Sequence, residues 1–219
     1  TATTEIYTLP LHDALPIFNS CNLGESTGCY AVVSVSGGKL ISAGNINIGG
    51  TQTPAGTGIL SLSDTGVVDV ATDVSIGASS SGYGTVNLNG GTLIARNIIK
   101  GSGLSGILNF NGGCYQPRTE GRTLSGLTAA YVSTNGAVVD TTLANYAISQ
   151  NLLHAPDAPS TDGGLLKLGA NTLTFTSYGS TYTGPTIVSN GTLRIVGSLP
   201  ADNALAVPAN GEAFITGSA

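Results

Sequence analysis

Val33–Ile41 reads VSVSGGKLI, and the same text returns three times downstream: LSLSDTGVV at Leu60–Val68, VNLNGGTLI at Val86–Ile94 and LNFNGGCYQ at Leu108–Gln116. The starts are separated by 27, 26 and 22 residues. Each copy opens apolar-polar-apolar-polar, the period of a strand buried on one face. A turn follows at once, Gly-Gly in three copies and Asp-Thr-Gly in one. A second short apolar stretch comes next, and then a third: INIG from Ile46, VSIG from Val74 and a looser NIIKG from Asn97.

Several short strands in a repeat of this length describe one coil of a solenoid. A single coil cannot bury its own apolar face and must stack on its neighbours. Equivalent residues then lie about 4.8 Å apart along the axis. The alignment predicts two inward columns, Val33–Leu60–Val86–Leu108 and Val35–Leu62–Leu88–Phe110. Ser34, Ser61, Asn87 and Asn109, between them, face outward. The fold class expected is all-β, a right-handed parallel β-helix of roughly eight coils with Gly and Asn turns. The competing architecture is an antiparallel β-sandwich, whose strands do not normally repeat the same strand-turn-strand text.

Composition agrees with short strands and tight turns. Of 219 residues, 9% are charged and 5% aromatic, with 32 Gly, no Trp and no Met. Its 41% hydrophobic share separates it from charge-rich disordered chains. The formal charge of −5 with scattered Lys and Arg gives no footprint for nucleic acid or anionic lipid. No apolar run approaches the roughly 20 residues of a membrane-spanning helix, so no membrane insertion is expected. With no methionine there is no initiator, and the chain reads as an interior piece of a longer protein.

The first 17 residues, TATTEIYTLPLHDALPI, are unlike the rest. They resemble the translation of a widely used short-read sequencing adapter, with Pro10 one base from the adapter's Ser. The expectation is that residues 1–17 are adapter-derived and make little contact with the repeat core. Glu5, His12 and Asp13 then leave any functional argument, and His154 is the one remaining histidine.

Residues 18–219 read as a single β-helix fragment. Residues 18–121 are degenerate coils, 122–162 connecting coils and a loop, 163–197 a distinct repeat and 198–219 the start of a further coil. The distinct repeat is GGLLKLGANTLTFTSYGSTYTGPTIVSNGTLRIVG, Gly163–Gly197. It closely resembles the autotransporter-associated β-strand repeat of bacterial passenger proteins. The matching residues are Gly164, Leu166, Lys167, Gly169, Thr172, Leu173, Thr181, Tyr182, Thr183, Gly184, Gly191, Thr192 and Leu193. Asn171, Ser180 and Pro185 depart from the pattern at turns. The resemblance implies a passenger region folded as a β-helix. It belongs to very large secreted or surface proteins of Gram-negative-type bacteria, with an export or anchoring domain that this chain does not include.

Motif residues read as structural. Gly184-Pro185 and Asn190-Gly191 are turn dipeptides. Leu166, Leu173, Phe175, Ile187, Leu193 and Ile195 are expected inward, and Lys167 outward in water. Tyr182, between two threonines, reads as capping an interior gap rather than as a platform for a sugar ring.

No catalytic, cofactor-binding or metal-binding residue is assigned, no cofactor is expected, and the chain reads as a non-enzyme. Glycoside hydrolysis needs two carboxylates about 5–10 Å apart, and a lyase needs a base. Asp64, Asp69 and Asp73 are the best acidic cluster, but a corner divides them. His154, near Asp157 and Asp162, lacks a nucleophile or metal spacing beside it and reads as a loop histidine. Asp140 reads as a strand-end turn acid. Gln116–Arg122, QPRTEGR, breaks the repeat and reads as a solvated loop carrying Arg118, Glu120 and Arg122. An extracellular setting allows Cys21 and Cys29 to bridge a short loop. Cys114 occupies the slot of Lys39 and Thr92 and reads as a lone thiol.

The function expected is a structural or adhesive passenger segment, secreted or at the cell surface, with glycans or neighbouring cell surfaces as partners. The alternative is a carbohydrate-binding or polysaccharide-cleaving β-helix. Stacked aromatics or convergent carboxylates in a groove on one face would favour the alternative.

Overall fold

The structure, a computed structural model, describes residues 4–8, as backbone, and 17–216. It is all-β, with parallel strands stacked as a solenoid of about eight turns. Each full coil carries one strand on each of three faces. On the first face lie Thr4–Thr8, Tyr30–Val35, Thr57–Leu62, Tyr83–Leu88, Ser105–Phe110, Ala129–Val132 and Leu152–His154, in that order. The second face runs Ile17–Phe18, Lys39–Ser42, Val67–Val70, Thr92–Ala95, Cys114–Pro117, Ala137–Asp140, Leu165–Leu168, Thr186–Val188 and Leu205–Ala206. The third face is split. Cys21–Leu23, Ile46–Ile48, Asp73–Ile76 and Asn97–Lys100 form one sheet. Arg122–Leu124, Tyr146–Ile148, Thr172–Phe175, Gly191–Ile195 and Gly211–Ile215 form the next. A single parallel bridge, Ile99 to Ser125, joins the two.

Every ladder between these strands is parallel, which excludes the sandwich. The inward columns run as the repeat alignment predicts. Val33 pairs with Leu60, Leu60 with Val86 and Val86 with Leu108, and Val35, Leu62, Leu88 and Phe110 stack beside them. All eight are buried. The residues between them, Ser34, Ser61, Asn87 and Asn109, are half-exposed. The corner after the first strand needs a left-handed residue. Gly91 supplies it at φ 64°, where a Cβ would stand 2.2 Å from the Gly66 carbonyl oxygen. In the Asp-Thr-Gly variant Asp64 takes the left-handed conformation at φ 49°, which Asp tolerates better than most residues.

The first face ends at His154. Beyond it the position of a next strand is taken by an irregular segment, whose Thr181 and Tyr182 amides donate to the Leu152 carbonyl at 2.9 and 3.3 Å. Tyr182 fills the interior there, fully buried, with its hydroxyl 2.7 Å from Thr186 Oγ1. No face of this ring is open to a sugar.

Four expectations need correction. First, the strand Leu165–Leu168 has the opposite phase. Leu165 and Lys167 point inward, and Leu166 and Leu168 are half-exposed. The same slip places Thr186 and Val188 inward and Ile187 outward. The cause is register. Leu165 pairs with Ala137 and Lys167 with Val139, and both partners are inward residues of the coil below. A strand cannot alternate against its neighbour's pleat without turning all its side chains over. Second, the described parts of residues 1–17, Thr4–Thr8 and Ile17, do not stand clear of the fold. Thr4–Thr8 pairs with Tyr30–Ser34, and Ile17–Phe18 pairs with Ile41–Ser42. An open sheet edge offers unpaired main-chain groups to any extended segment, whatever its side chains. Ile17 itself stays 68% exposed. Leu11 and Leu15, expected to lie off the core with the rest of this segment, are outside the described residues.

Third, His154 is the last residue of a strand rather than part of a loop. Fourth, Gln116 and Pro117 close one strand and Arg122 opens another, so the solvated stretch shrinks to Arg118–Gly121.

The strand phase has a direct consequence. Leu88→Asn removes a fully buried aliphatic chain and buries an amide, and is expected to cost about 3–5 kcal/mol in urea unfolding. Asn87→Ser, one residue away on the outward face, is expected to cost under about 1 kcal/mol. Equal losses at the two positions would show that the phase is wrong.

Candidate functional site

The acids singled out in the sequence do not converge. Asp64 sits at a turn, Asp69 in a strand of the second face and Asp73 across the corner on the third. Each strand acid is bound to a cation of its own chain. Lys39 Nζ lies 2.6 Å from Asp69 Oδ2, and Arg118 bonds Asp69 Oδ1 from two coils above. Arg96 Nε donates to Asp73 Oδ1 at 2.8 Å. Glu120 accepts a hydrogen bond from Asn145 Nδ2 at 2.9 Å. Asp140 caps its strand end, accepting from the Thr142 amide at 2.9 Å and, from one coil below, Gln116 Nε2 at 2.9 Å. These are ties between coils, and an acid so engaged is poorly placed to take a proton from a substrate. Among the described residues no group of three or more His, Cys, Asp or Glu is placed to hold a metal ion.

His154 and Asp162 do come together. His154 Nδ1 lies 2.8 Å from Asp162 Oδ2, and the carboxylate is fully buried. Asp162 also accepts from the amides of Gly164 at 2.9 Å, Thr183 at 2.8 Å and Gly184 at 2.8 Å. Burial works to raise its pKa. The bonds from His154 and from these three amides outweigh burial and hold the carboxyl below its usual range. With its oxygens so occupied, Asp162 is a clamp. It fastens the loop that leaves the first face at Ala155 back onto the coil above.

Lys167 is the residue the sequence misplaced. Its side chain is fully buried, and Nζ donates toward Thr141 Oγ1 at 2.7 Å and the carbonyls of Leu168, Gly169 and Asn190 at 2.9, 2.6 and 2.9 Å. The Leu168 carbonyl also accepts from the Thr141 amide at 2.9 Å. The Gly169 and Asn190 carbonyls lie at corners, outside the strands, and depend on the lysine. Burial pushes the ammonium down to about 8, with the Asp140 carboxylate opposing the shift. Lys167 therefore joins two successive corners from inside the solenoid.

The three cysteines are half-buried and unpaired. Burial, with help from Asp140, pushes the Cys114 thiol up to about 12, so it stays protonated and unreactive at neutral pH. A further polar pair inside the core escaped the sequence reading. Tyr115 and Tyr146 meet edge to face with ring centres 5.4 Å apart, and the Tyr146 hydroxyl donates to Asn97 Oδ1.

One concave surface stands out. A groove of about 540 Å³ runs along the outward side of the first face. Its floor and sides come from Thr85, Asn87, Ile107 and Asn109, its rim from Asn89, Asn111, Tyr131 and Ser133, and its end wall from Ala155, Pro156 and Asp157. The amides on the floor form a chain across coils. Asn109 Nδ2 donates to Asn87 Oδ1 at 2.8 Å, and Asn87 Nδ2 to Ser61 Oγ at 3.1 Å.

Comparison with known families supplies one match. Residues 165–195 match the family model of the Passenger-associated-transport-repeat. The matched stretch spans the strands Leu165–Leu168 to Gly191–Ile195 and contains Lys167, Phe175 and Tyr182, three of the largest fully buried side chains. No curated protein and no solved structure matches the chain.

Lys167→Met keeps the length of the side chain and leaves the Gly169 and Asn190 carbonyls without their donor. It is expected to cost about 2–4 kcal/mol. The pH dependence has a definite sign. Lys167 is less basic folded, at about 8 against 10.5 for an ordinary lysine. Between those values the unfolded chain holds the extra proton, so this group makes folding stability rise with pH across that window. Buried Cys114 and the buried tyrosines pull stability the other way at the upper end of this window but are common to both chains, so the urea midpoint of the parent chain is expected to rise relative to that of Lys167→Met between pH 8 and pH 10.5.

Proposed function

We propose that this chain is a structural passenger segment of an exported bacterial protein, working as a rod that extends and displays. The repeat match at 165–195 and the β-solenoid fit the passenger region of an autotransporter. The carrying observation is that the matched repeat continues the same stacked coils as the degenerate repeats before it, through the ladders Ala137–Leu165 and Tyr146–Leu173. About eight coils at ~4.8 Å give a rod of about 40 Å. Lys39, Asp69, Asp73, Arg96 and Arg118 are spent on ties between coils rather than gathered at one place. That pattern supports a scaffold, since an active site breaks a repeat where the required groups converge.

In this reading the segment performs no catalysis. It is carried to the surface of a Gram-negative-type cell by an export domain outside this chain. Its contacts with glycans or neighbouring cell surfaces are weak for each coil and gain strength through repetition.

Two measurements test the proposal. Fused between a secretory signal and a transporter barrel in a Gram-negative host, the chain is expected to reach the cell surface and label there with an impermeant amine reagent. Retention in the periplasm would overturn the passenger role. The purified chain is expected to turn over no polyuronide, neutral glycan or peptide. Turnover that disappears in Glu120→Gln or Arg118→Ala would make it an enzyme.

A further inference from the structure

The groove on the first face is a concave surface of about 540 Å³ that neither the solenoid nor the passenger role requires. We propose that it binds a neutral pyranose oligosaccharide lying along the solenoid axis. The proposal deepens the glycan contacts of the passenger reading: beside the weak contacts spread over the coils it names one site and one ligand class, formed by this chain alone.

The charge of the groove suits a neutral ligand. The floor and rim are amides, hydroxyls and apolar carbons, and Asp157 at the end wall is the only ionisable carboxylate or base in the lining. A polyuronide would meet no cation there and one like charge. A neutral sugar would meet acceptors and donors for its hydroxyls, with Asp157 as the strongest acceptor.

A chain of amides crosses the coils along the groove. Asn109 and Asn87 each use one amide hydrogen on the coil below. Nδ2 of each amide points to the coil below. Among the described residues no other group accepts the second hydrogen of either amide, and Asn109 Oδ1 receives no donor. The groove therefore offers a directed row of hydrogen-bonding groups that repeats with the coil spacing of about 4.8 Å. That spacing is close to the advance of one ring in an extended sugar chain.

Apolar surface lies beside the amides. Tyr131 stands directly above Asn109 in the same outward column, since the two pair across neighbouring strands. Ile107 lies two residues before Asn109 on the same side of the strand. An aromatic face and an aliphatic patch beside a row of amides suit the C–H face and the hydroxyl edge of a pyranose together.

The site is also held in advance. Its floor is sheet, and its end wall is the start of the loop that Asp162 clamps through His154, Gly164, Thr183 and Gly184. Little ordering remains for binding to impose.

The test is calorimetric titration of the chain with cellohexaose, xylohexaose, mannohexaose and laminarihexaose, and with polygalacturonate. At least one neutral hexaose is expected to bind, and more tightly than polygalacturonate. Tyr131→Ala and Asn109→Ser are each expected to weaken that binding by about tenfold or more, while Tyr131→Phe keeps it within about threefold. Melting curves establish that each variant is folded, and Asn109→Ser, an outward change already present as Ser61 in a lower coil, carries the test if Tyr131→Ala does not fold. Binding by none of the hexaoses, preference for polygalacturonate, or unchanged affinity in Asn109→Ser would overturn the proposal. Surface display is unaffected by any of these outcomes, so failure here is distinguishable from failure of the passenger role.

Discussion

Parallel pairing at one fixed spacing governs this molecule. Each coil rests on the one below through main-chain bonds that repeat about every 4.8 Å along the axis, and side chains alternate strictly across each strand. A coil therefore inherits the phase of its neighbour. Where the sequence supplies an aliphatic residue at the inherited position, the inward column simply continues, as from Val35 to Val132. Where it supplies lysine, as at position 167, the lysine goes in, because turning the strand over would set Leu166 against Val139's column and lose every cross-coil contact.

Putting an ammonium inside is tolerable only because the solenoid has corners. At a corner the chain leaves the sheet, and its carbonyls turn away from the ladder. Gly169 and Asn190 present such carbonyls, Leu168 shares its own, and Thr141 adds a hydroxyl. One flexible side chain with three donors meets the needs of two coils at once. Asp162 does the converse on another corner, with a carboxylate gathering three amides and an imidazole. Both buried charges hold irregular chain to regular sheet. They sit in the matched repeat and in the loop leading into it, where the first face gives way to an irregular segment plugged by Tyr182.

The end of the first face also shapes the outer surface. While strands continue, that face is a flat ladder of Ser and Asn. When the chain departs after His154, the clamped loop rises as a wall beside Tyr131 and turns the flat ladder into a groove. A rod and a concave surface thus come from the same event. The acids and bases elsewhere, Asp69, Asp73, Lys39, Arg96 and Arg118, are engaged in coil-to-coil pairs. Such exposed pairs contribute little to stability singly.

The sequence by itself determined the parallel solenoid, its coil spacing, and both inward columns from Val33 to Phe110. Four texts of one strand-turn-strand pattern, 22 to 27 residues apart, favour stacking over a sandwich, and alternation within each text names the buried side. It also marked Tyr182 as an interior filler and separated Asp69 from Asp73 by a corner. The tertiary structure alone decided the phase of LLKL, where aliphatic residues on both sides leave periodicity silent and only the neighbouring coil chooses. It alone brought His154 to Asp162 and Arg118 to Asp69, since those meetings depend on how many residues each corner spends. The groove likewise required the fold: Asn87, Asn109, Tyr131 and Asp157 lie in four different segments, and they share one surface because stacking puts successive coils, rather than successive residues, side by side.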